Sequence, residues 1–479
     1  MKVDFGGVEE TVVTREDFPL DRARDVLGKE VIAILGYGPQ GRGQSLNLRD
    51  NLKGTRARVV VGQREGTETY RQARDEGWEP GTTLLSLDEA AARGTIIAHL
   101  LSDAAQKMTW PDLERRVDPG KALYFSHGFG MHFNQHTGIN PRGGVDVIMV
   151  APKGAGQSVR GNFLNGSGIN ASYAVERNPT GVALERTLAM GVGIGAGYLF
   201  ETTFRNEVVS DHFGERAFLL GEVWALAEAA YFALKVKGEL PQQAFIKSSE
   251  QITQVLLPLI GRGGAEEVYK QAQQAGQLST VLRYQEAVRQ ATTPILNQLY
   301  ESVQRGDEAK IALDANSDPR YRQKLNAELD VINTSEMWRT GKDIRDRGGD
   351  RSYDMRITNW ALAGAVLGAM EAQYQTLVDR GHRPSEAFNE TVEEATQSLN
   401  QFYQARGVSH LLAVCSSTAQ RGALDWGPRF RKVLNVCFLD TEGKYSTGSA
   451  PTVNYNSTRP NMWEVGAQLR PLRPENLRQ

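Results

Sequence analysis

Along the first 204 residues, short apolar runs alternate with stretches in which apolar positions recur every three or four residues. Apolar runs of strand-forming character fall at residues 31–35, 58–61, 95–101, 122–125 and 145–150. Each has the length and the unbroken apolar character of a strand buried on both faces of a sheet. Helical periodicity separates them, as at residues 40–51 and 67–76. Strand–helix alternation at this spacing predicts an α/β, Rossmann-type domain with a doubly wound parallel sheet.

Beyond residue 204 the texture changes. Long amphipathic segments dominate, at 215–235, 242–259, 282–305, 357–380 and 384–406, and β-rich runs nearly vanish. This half is expected to be all-α. It also repeats itself. Gly238-Glu-Leu-Pro241-Gln-Gln-Ala244-Phe245 matches Gly381-His-Arg-Pro384-Ser-Glu-Ala387-Phe388 at an offset of 143 residues. Met337-Trp338-Arg-Thr-Gly341 returns as Met462-Trp463-Glu-Val-Gly466. The expected organisation is therefore a dinucleotide-binding domain over 1–204 and two degenerate helical copies over 205–347 and 348–479, joined through the hydrophilic stretch 346–351. Repeated helical units commonly complete one another's cores.

Composition narrows the function classes. A chain of 479 residues is too long for one compact core. A formal net charge of −2 offers no basic tract for nucleic acid or a membrane surface. No apolar run approaches the roughly 18 residues of a bilayer span. The start, Met1-Lys2-Val3-Asp4-Phe5, has neither an apolar signal core nor transit-peptide character, so a cytoplasmic protein is expected. Cys415 and Cys437 make no disulfide framework and lack metal-ligand spacing, so both are read as buried thiols.

The strand at 31–35 runs into Gly36-Tyr37-Gly38-Pro39-Gln40-Gly41, a G-x-G-x-x-G between strand and helix. Gly36 permits the tight turn, Gly38 lets backbone approach a pyrophosphate, and Gly41 allows close helix–strand packing. The diphosphate then faces free N–H groups at a helix start. Coenzyme type is read at the end of the second strand, in Gly62-Gln63-Arg64-Glu65-Gly66-Thr67-Glu68-Thr69. Arg64 can meet a 2′-phosphate bidentately with Thr67 and Thr69 assisting, which favours NADPH. Glu65 and Glu68 pull the other way, since a carboxylate at the ribose favours NADH.

In the helical half, Asp211 and Glu215 are four apart, as are Glu390 and Glu394. Each pair shares a helix face, where like charges repel unless a cation lies between them. Taken singly, either pair also suits a solvated helix face. Together they supply the hard oxygen ligands of a two-Mg2+ site. The offset of 143 places Asp354 and Thr358 opposite Asp211 and Glu215, and Lys247 and Gln251 opposite Glu390 and Glu394. Each copy thus keeps a different pair. That is the pattern expected if two symmetric composite sites were reduced to one.

At these residues the chain resembles the ketol-acid reductoisomerases, over essentially its whole length. The match takes in the glycine motif with Asn47-Leu-Arg-Asp50, then Ser126-His127-Gly-Phe129, Ala151-Pro152-Lys153-Gly154 and Ser210-Asp211-x-x-Gly-Glu215. It continues through Asn389-Glu390-x-x-x-Glu394 and Cys415-Ser416-Ser-Thr-Ala419. The duplicated helical half looks like the long, class II form. The resemblance implies a Rossmann domain plus a knotted helical domain, and Asp211, Glu215, Glu390 and Glu394 as ligands of two Mg2+. It further implies that Ser416 and Glu390 contact substrate, that Lys153 lies beside the carboxylates, and that His127 lies near nicotinamide and substrate. Coenzyme contacts would come from Gly36, Tyr37, Gly38, Pro39, Gln40, Gly41, Arg64, Thr67, Thr69, Ser102 and His127. Without the family, His127 also suits a packed turn residue, Lys153 a surface lysine and Ser416 a helix cap.

The implied substrates are 2-acetolactate and 2-aceto-2-hydroxybutyrate. Alkyl migration on the substrate would be followed by reduction with NADPH, giving 2,3-dihydroxy-3-alkyl acids for valine, leucine and isoleucine synthesis. The implied catalytic set is His127, Lys153, Glu215 and Glu394, with the two glutamates as candidate proton carriers. A homodimer or tetramer is expected. Two other classes fit parts of the pattern. One is a Rossmann-plus-helical hydroxyacid dehydrogenase without isomerase activity, which needs no pair of carboxylate pairs. The other is a dinucleotide-binding protein without chemistry, which would not keep all four carboxylates with Lys153 and Ser416.

Overall fold

The computed structural model describes residues 1–346, 356–444 and 460–477, with the side chains of 440–444 set aside. The chain divides into two compact units. One comprises Met1–Asp4, Glu9–Val208 and Pro471–Gln479, and the other Phe5–Val8 and Val209–Arg470. The expected joining stretch at 346–351 and the counterpart Asp354 lie almost wholly outside the described residues.

The first unit is built on a sheet whose central strands are β1 (Val31–Leu35), β2 (Arg58–Gly62), β3 (Ile96–His99), β4 (Ala122–Phe125) and β5 (Asp146–Pro152). They match the apolar runs of the sequence to within a few residues and pair in parallel, in the order β2-β1-β3-β4-β5. Each parallel strand is covered on both faces, so Ile32, Ile34, Ile96, Ala98 and Tyr124 enter one apolar layer and Ala33, Leu35, Ile97, Leu123 and Phe125 the other. The sequence pattern predicts a parallel sheet, but the sheet is mixed. Beyond β5 the strand Ala171–Arg177 pairs antiparallel to it, and Leu199–Glu201 pairs antiparallel to Val8–Val13. The sequence pattern does not reveal these outer strands. Ala171–Arg177 alternates buried and polar positions towards its end, and Leu199–Glu201 has only three residues, too short for a periodic signal.

The second unit holds both helical copies together. The repeat is kept element by element. Helix Pro241–Phe245, π-helical Ile246–Leu256 and helix Leu257–Gly263 are followed, at the 143-residue offset, by Pro384–Phe388, Asn389–Leu399 and Asn400–Arg406. Their contacts repeat too. Trp338 Nε1 donates to Glu228 at 2.9 Å, and Trp463 Nε1 donates to Glu371, 143 positions on from Glu228, at 2.8 Å. Arg345 stacks over Phe245 as Arg470 stacks over Phe388.

The copies also exchange partners. Helix Leu278–Arg305 of the first packs along Trp360–Asp379 of the second, and Ser417–Lys444 of the second packs along Val223–Val236 of the first. A side chain at Gly364 would sit 2.1 Å from the Val281 carbonyl oxygen, which shows how closely the backbones cross. Neither copy therefore closes its core alone.

Two local features depart from regular α-helix. The helix expected over 215–235 breaks at Ala217, whose ψ of −127° ends helix Phe204–Arg216 before π-helical Phe218–Glu222 begins. The segments around Glu390 and its counterpart are π-helical, a form concentrated at functional sites. The stretch Phe204–Val236 is also apolar enough by composition to span a membrane, against the expectation that no run approaches this. Its apolar window is 83% buried inside the protein, the condition of a core helix.

Within that stretch Glu222 is fully buried, and burial, partly offset by the nearby Thr292 hydroxyl, pushes its carboxyl up to about 8. Because the folded pKa exceeds the unfolded one, the folded state holds this proton more tightly. Stability is then full below about pH 4.5 and falls as pH rises through about 8. In thermal denaturation, Glu222→Gln should remove this loss and raise Tm by several degrees at alkaline pH. Identical pH profiles for the two proteins would contradict it.

Candidate functional site

Asp211 and Glu215 lie in the last turns of helix Phe204–Arg216, before the break at Ala217. Glu390 and Glu394 lie in π-helical Asn389–Leu399. Packing of the two copies brings the pairs together: Asp211, Glu390 and Glu394 each present a ligand atom within 4.8 Å of the others. Glu390 and Glu394 are buried and Asp211 half-buried. Ser210 Oγ donates to Glu390 at 3.4 Å.

Glu215 is drawn into the same neighbourhood. Burial, followed by the charges of Glu215, Glu394 and Asp211, holds the Cys415 thiol well above its usual range. Of the two thiols expected to be buried, Cys437 is buried and Cys415 half-buried. Cys415 thus lies within electrostatic reach of three of the four carboxylates. Arg216 reaches Glu215 only at 3.8 Å and is committed to Glu308 at 2.8 Å. The donor set is all carboxylate oxygen, crowded and sheltered, which fits hard divalent cations such as Mg2+. Ser416, next to Cys415, is exposed, and its Oγ accepts from Ala419 N–H at 3.0 Å. It caps a helix, and its hydroxyl proton remains available to donate.

In the first unit, Lys153 follows β5 and His127 follows β4. A residue that the sequence motifs do not single out joins them. Glu207 is fully buried and accepts from Lys153 Nζ at 3.1 Å and Gly128 N–H at 2.6 Å, with His127 Nδ1 at 3.1 Å. Burial alone would raise its pKa, but the Lys153 and His127 charges hold the carboxyl down at about 2. Lys153 is therefore a buried ammonium with a fixed counter-ion, not a surface lysine. The sequence carried a signal for Glu207: positions 207, 211 and 215 continue one four-residue period.

The glycine turn forms as expected. Gly36 adopts φ +99°, and a side chain on Gly41 would meet the Gly36 carbonyl at 2.1 Å. At Gly38 it would meet nothing within 4 Å, which leaves room for a pyrophosphate before helix Pro39–Asn51. Other coenzyme candidates divide. Tyr37 turns inward, its hydroxyl donating to Glu76 at 2.6 Å and accepting from Trp78 at 2.9 Å, so only its backbone faces the turn. Gln40 ties the turn to the Gly154 carbonyl at 3.1 Å. Thr67 caps helix Glu68–Asp75 through Tyr70 N–H, and Gln63 donates to Thr69. Arg64, Glu65 and Glu68 are exposed, as is Ser102 before helix Asp103–Leu113.

Comparison with known proteins gives a consistent answer. The family model of the acetohydroxy acid isomeroreductase NADPH-binding domain matches residues 26–198, and that of the ketol-acid reductoisomerase C-terminal domain matches 204–348 and 359–438. A protein of Desulfosudis oleivorans named ketol-acid reductoisomerase (NAD(+)) is 47% identical over 72% of this chain and 96% of its own length. The mitochondrial enzyme of Neurospora crassa is 43% identical over 72% of this chain and 84% of its own. The chloroplastic enzyme of Spinacia oleracea is 33% identical over 91% and 74% respectively. A solved NADH-preferring ketol-acid reductoisomerase from an uncultured archaeon aligns with TM-score 0.62 and 27% identity, over 70% of this chain and 98% of its own. With both family domains matched in order over the unit that carries the glycine turn and the unit that carries the carboxylates, the chain belongs to the ketol-acid reductoisomerases, nicotinamide-dependent oxidoreductases of branched-chain amino-acid biosynthesis.

Proposed function

We propose that Asp211, Glu215, Glu390 and Glu394 hold two Mg2+ at which 2-acetolactate and 2-aceto-2-hydroxybutyrate rearrange, and that NADPH reduces the product. The observation that carries this reading is the meeting of carboxylates from the two helical copies, three of them within 4.8 Å. When bound, the Mg2+ ions would act as Lewis acids on adjacent substrate oxygens.

The chain's own groups do the rest. Ser416 donates its free hydroxyl proton to substrate, and Glu390 shares in holding it. Glu394 or Glu215 takes the substrate hydroxyl proton as the alkyl group moves to the neighbouring carbonyl carbon, and returns it to the alkoxide oxygen left on that carbon. Glu207 fixes Lys153 and His127, so a cation and an imidazole keep set orientations without side-chain reorganisation. A nicotinamide coenzyme, when bound, would supply the hydride for the new ketone, and the proton that completes the alcohol would come from solvent.

For the coenzyme, Arg64 carries the NADPH reading: its side chain is exposed at the end of β2 with no ion pair among the described residues. An NADH reading draws on the exposed Glu65 and Glu68 of the same loop, and on relatives whose names specify NAD(+) or NADH.

Loss of reduced-coenzyme absorbance with racemic 2-acetolactate tests the reading directly. Turnover should require Mg2+, and Glu390→Gln should lower kcat by about 100-fold or more, beyond the usual cost of losing even an outer partner of a metal ligand. Metal-independent turnover would overturn it. An ionic hydrogen bond contributes about 1.5–3 kcal/mol. Arg64→Ala should therefore lower kcat/KM with NADPH by about tenfold or more and leave NADH turnover unchanged. Equal effects on both coenzymes would remove Arg64 from that role.

A further inference from the structure

Two carboxylate pairs on separate helices form one site only if those helices are held in register. The helix bearing Asp211 and Glu215 ends at Ala217, through which backbone bonds continue to the π-helical turn (Ala217 N–H to Phe213 at 2.9 Å, Glu222 N–H to Ala217 at 2.8 Å), but these bonds hold it to the chain beyond and not to the segment that bears Glu390. We propose that Gln373, which no motif singles out, is the positioning residue that locks the two pairs together. This rests on the metal-holding reading above.

Gln373 lies in helix Trp360–Asp379 and is fully buried. Its Oε1 accepts from Phe218 N–H at 2.7 Å, at the backbone just past the break. Its Nε2 donates to the Glu390 carbonyl at 2.9 Å and to Thr391 Oγ1 at 3.1 Å. One rigid amide thus spans from the chain just beyond Glu215 to the residue that bears the opposing carboxylate. The two backbones approach closely beside it: a side chain at Gly214 would meet the Glu390 carbonyl at 3.3 Å and Gln373 Nε2 at 3.5 Å. A buried amide with both ends satisfied is costly to displace, so the spacing it sets is stiff.

The repeat supplies an internal control. At the 143-residue offset Gln373 corresponds to Ala230, in the half where Lys247 and Gln251 replace Glu390 and Glu394. There Gln251 Oε1 instead accepts from Thr358 N–H at 2.7 Å and ties down its own surroundings. Among the described residues, the bridging amide stands where the two carboxylate pairs meet, and alanine takes its position at the place where they do not. A role in general core packing gives no reason for that asymmetry between otherwise matching helices.

The test uses the full-length protein and Mn2+, with free ion followed by electron paramagnetic resonance and coenzyme binding followed separately by fluorescence. Gln373→Met keeps length and volume but cannot bridge. It should weaken Mn2+ binding by about 10- to 100-fold, the range for groups that orient metal ligands. It should also raise the Mg2+ needed for half-maximal rate, with most of kcat regained at high Mg2+ and coenzyme affinity unchanged. Gly214→Ala presses on the same joint and should shift Mn2+ affinity in the same direction by less. It decides the matter alone if Gln373→Met does not fold. Wild-type Mn2+ affinity in the folded variants would overturn the role of Gln373. Failure of the unaltered protein to bind Mn2+ would overturn the metal-holding reading and this inference with it.

Discussion

The second unit is organised around an arrangement that opposes folding: carboxylates crowded together with little exposure. Asp211, Glu390 and Glu394 repel one another and lose hydration where they sit. Such a cluster persists only if the surrounding packing fixes it and its charge is offset, by protons or by a cation of the kind hard oxygen donors suit. Extensive helix packing between the copies and the Gln373 amide supply the first condition. The chemistry of the donors points to the second.

Duplication makes this arrangement possible in a single chain. Because helices are exchanged between the copies, a residue of one copy can face a residue of the other without an oligomer interface. Matching contacts, such as Trp338 with Glu228 and Trp463 with Glu371, keep the frame symmetric. The polar residues are then free to diverge. Where Asp211 and Glu215 of one copy face Glu390 and Glu394 of the other the acids are kept, and at the corresponding place Gln251 and Thr358 meet through neutral hydrogen bonds. The first unit shows the complementary solution, where a single buried carboxylate, Glu207, lies between the Lys153 ammonium and the His127 imidazole and stays ionised.

Much of this is legible in the sequence. The five central strands stand out because parallel strands buried on both faces read as unbroken apolar runs. The glycine turn stands out because φ +99° at Gly36 and the 2.1 Å approach at Gly41 admit little else. The outer strands escape notice because they are short or alternate, and the break at Ala217 because the apolar period runs through it undisturbed. The place of Tyr37 in the motif suggests a coenzyme contact, yet its ring packs inward against Glu76 and Trp78. Position in a motif fixes the backbone but leaves the rotamer to the surroundings.

By itself, the sequence determined which residue types were present at which local spacing: the glycine turn, the strand–helix alternation, the carboxylates at i and i+4, and the 143-residue repeat. These are properties of neighbouring residues, written in short-range periodicity. Only the tertiary structure decided that Glu390 meets Asp211, that Glu207 joins Lys153 to His127, and that Gln373 bridges Phe218 and Glu390. Each of these joins residues far apart in the chain, and their meeting depends on how helices pack. At Glu207, burial then makes that meeting decide a charge state, because removing water strengthens the interaction with Lys153 and His127.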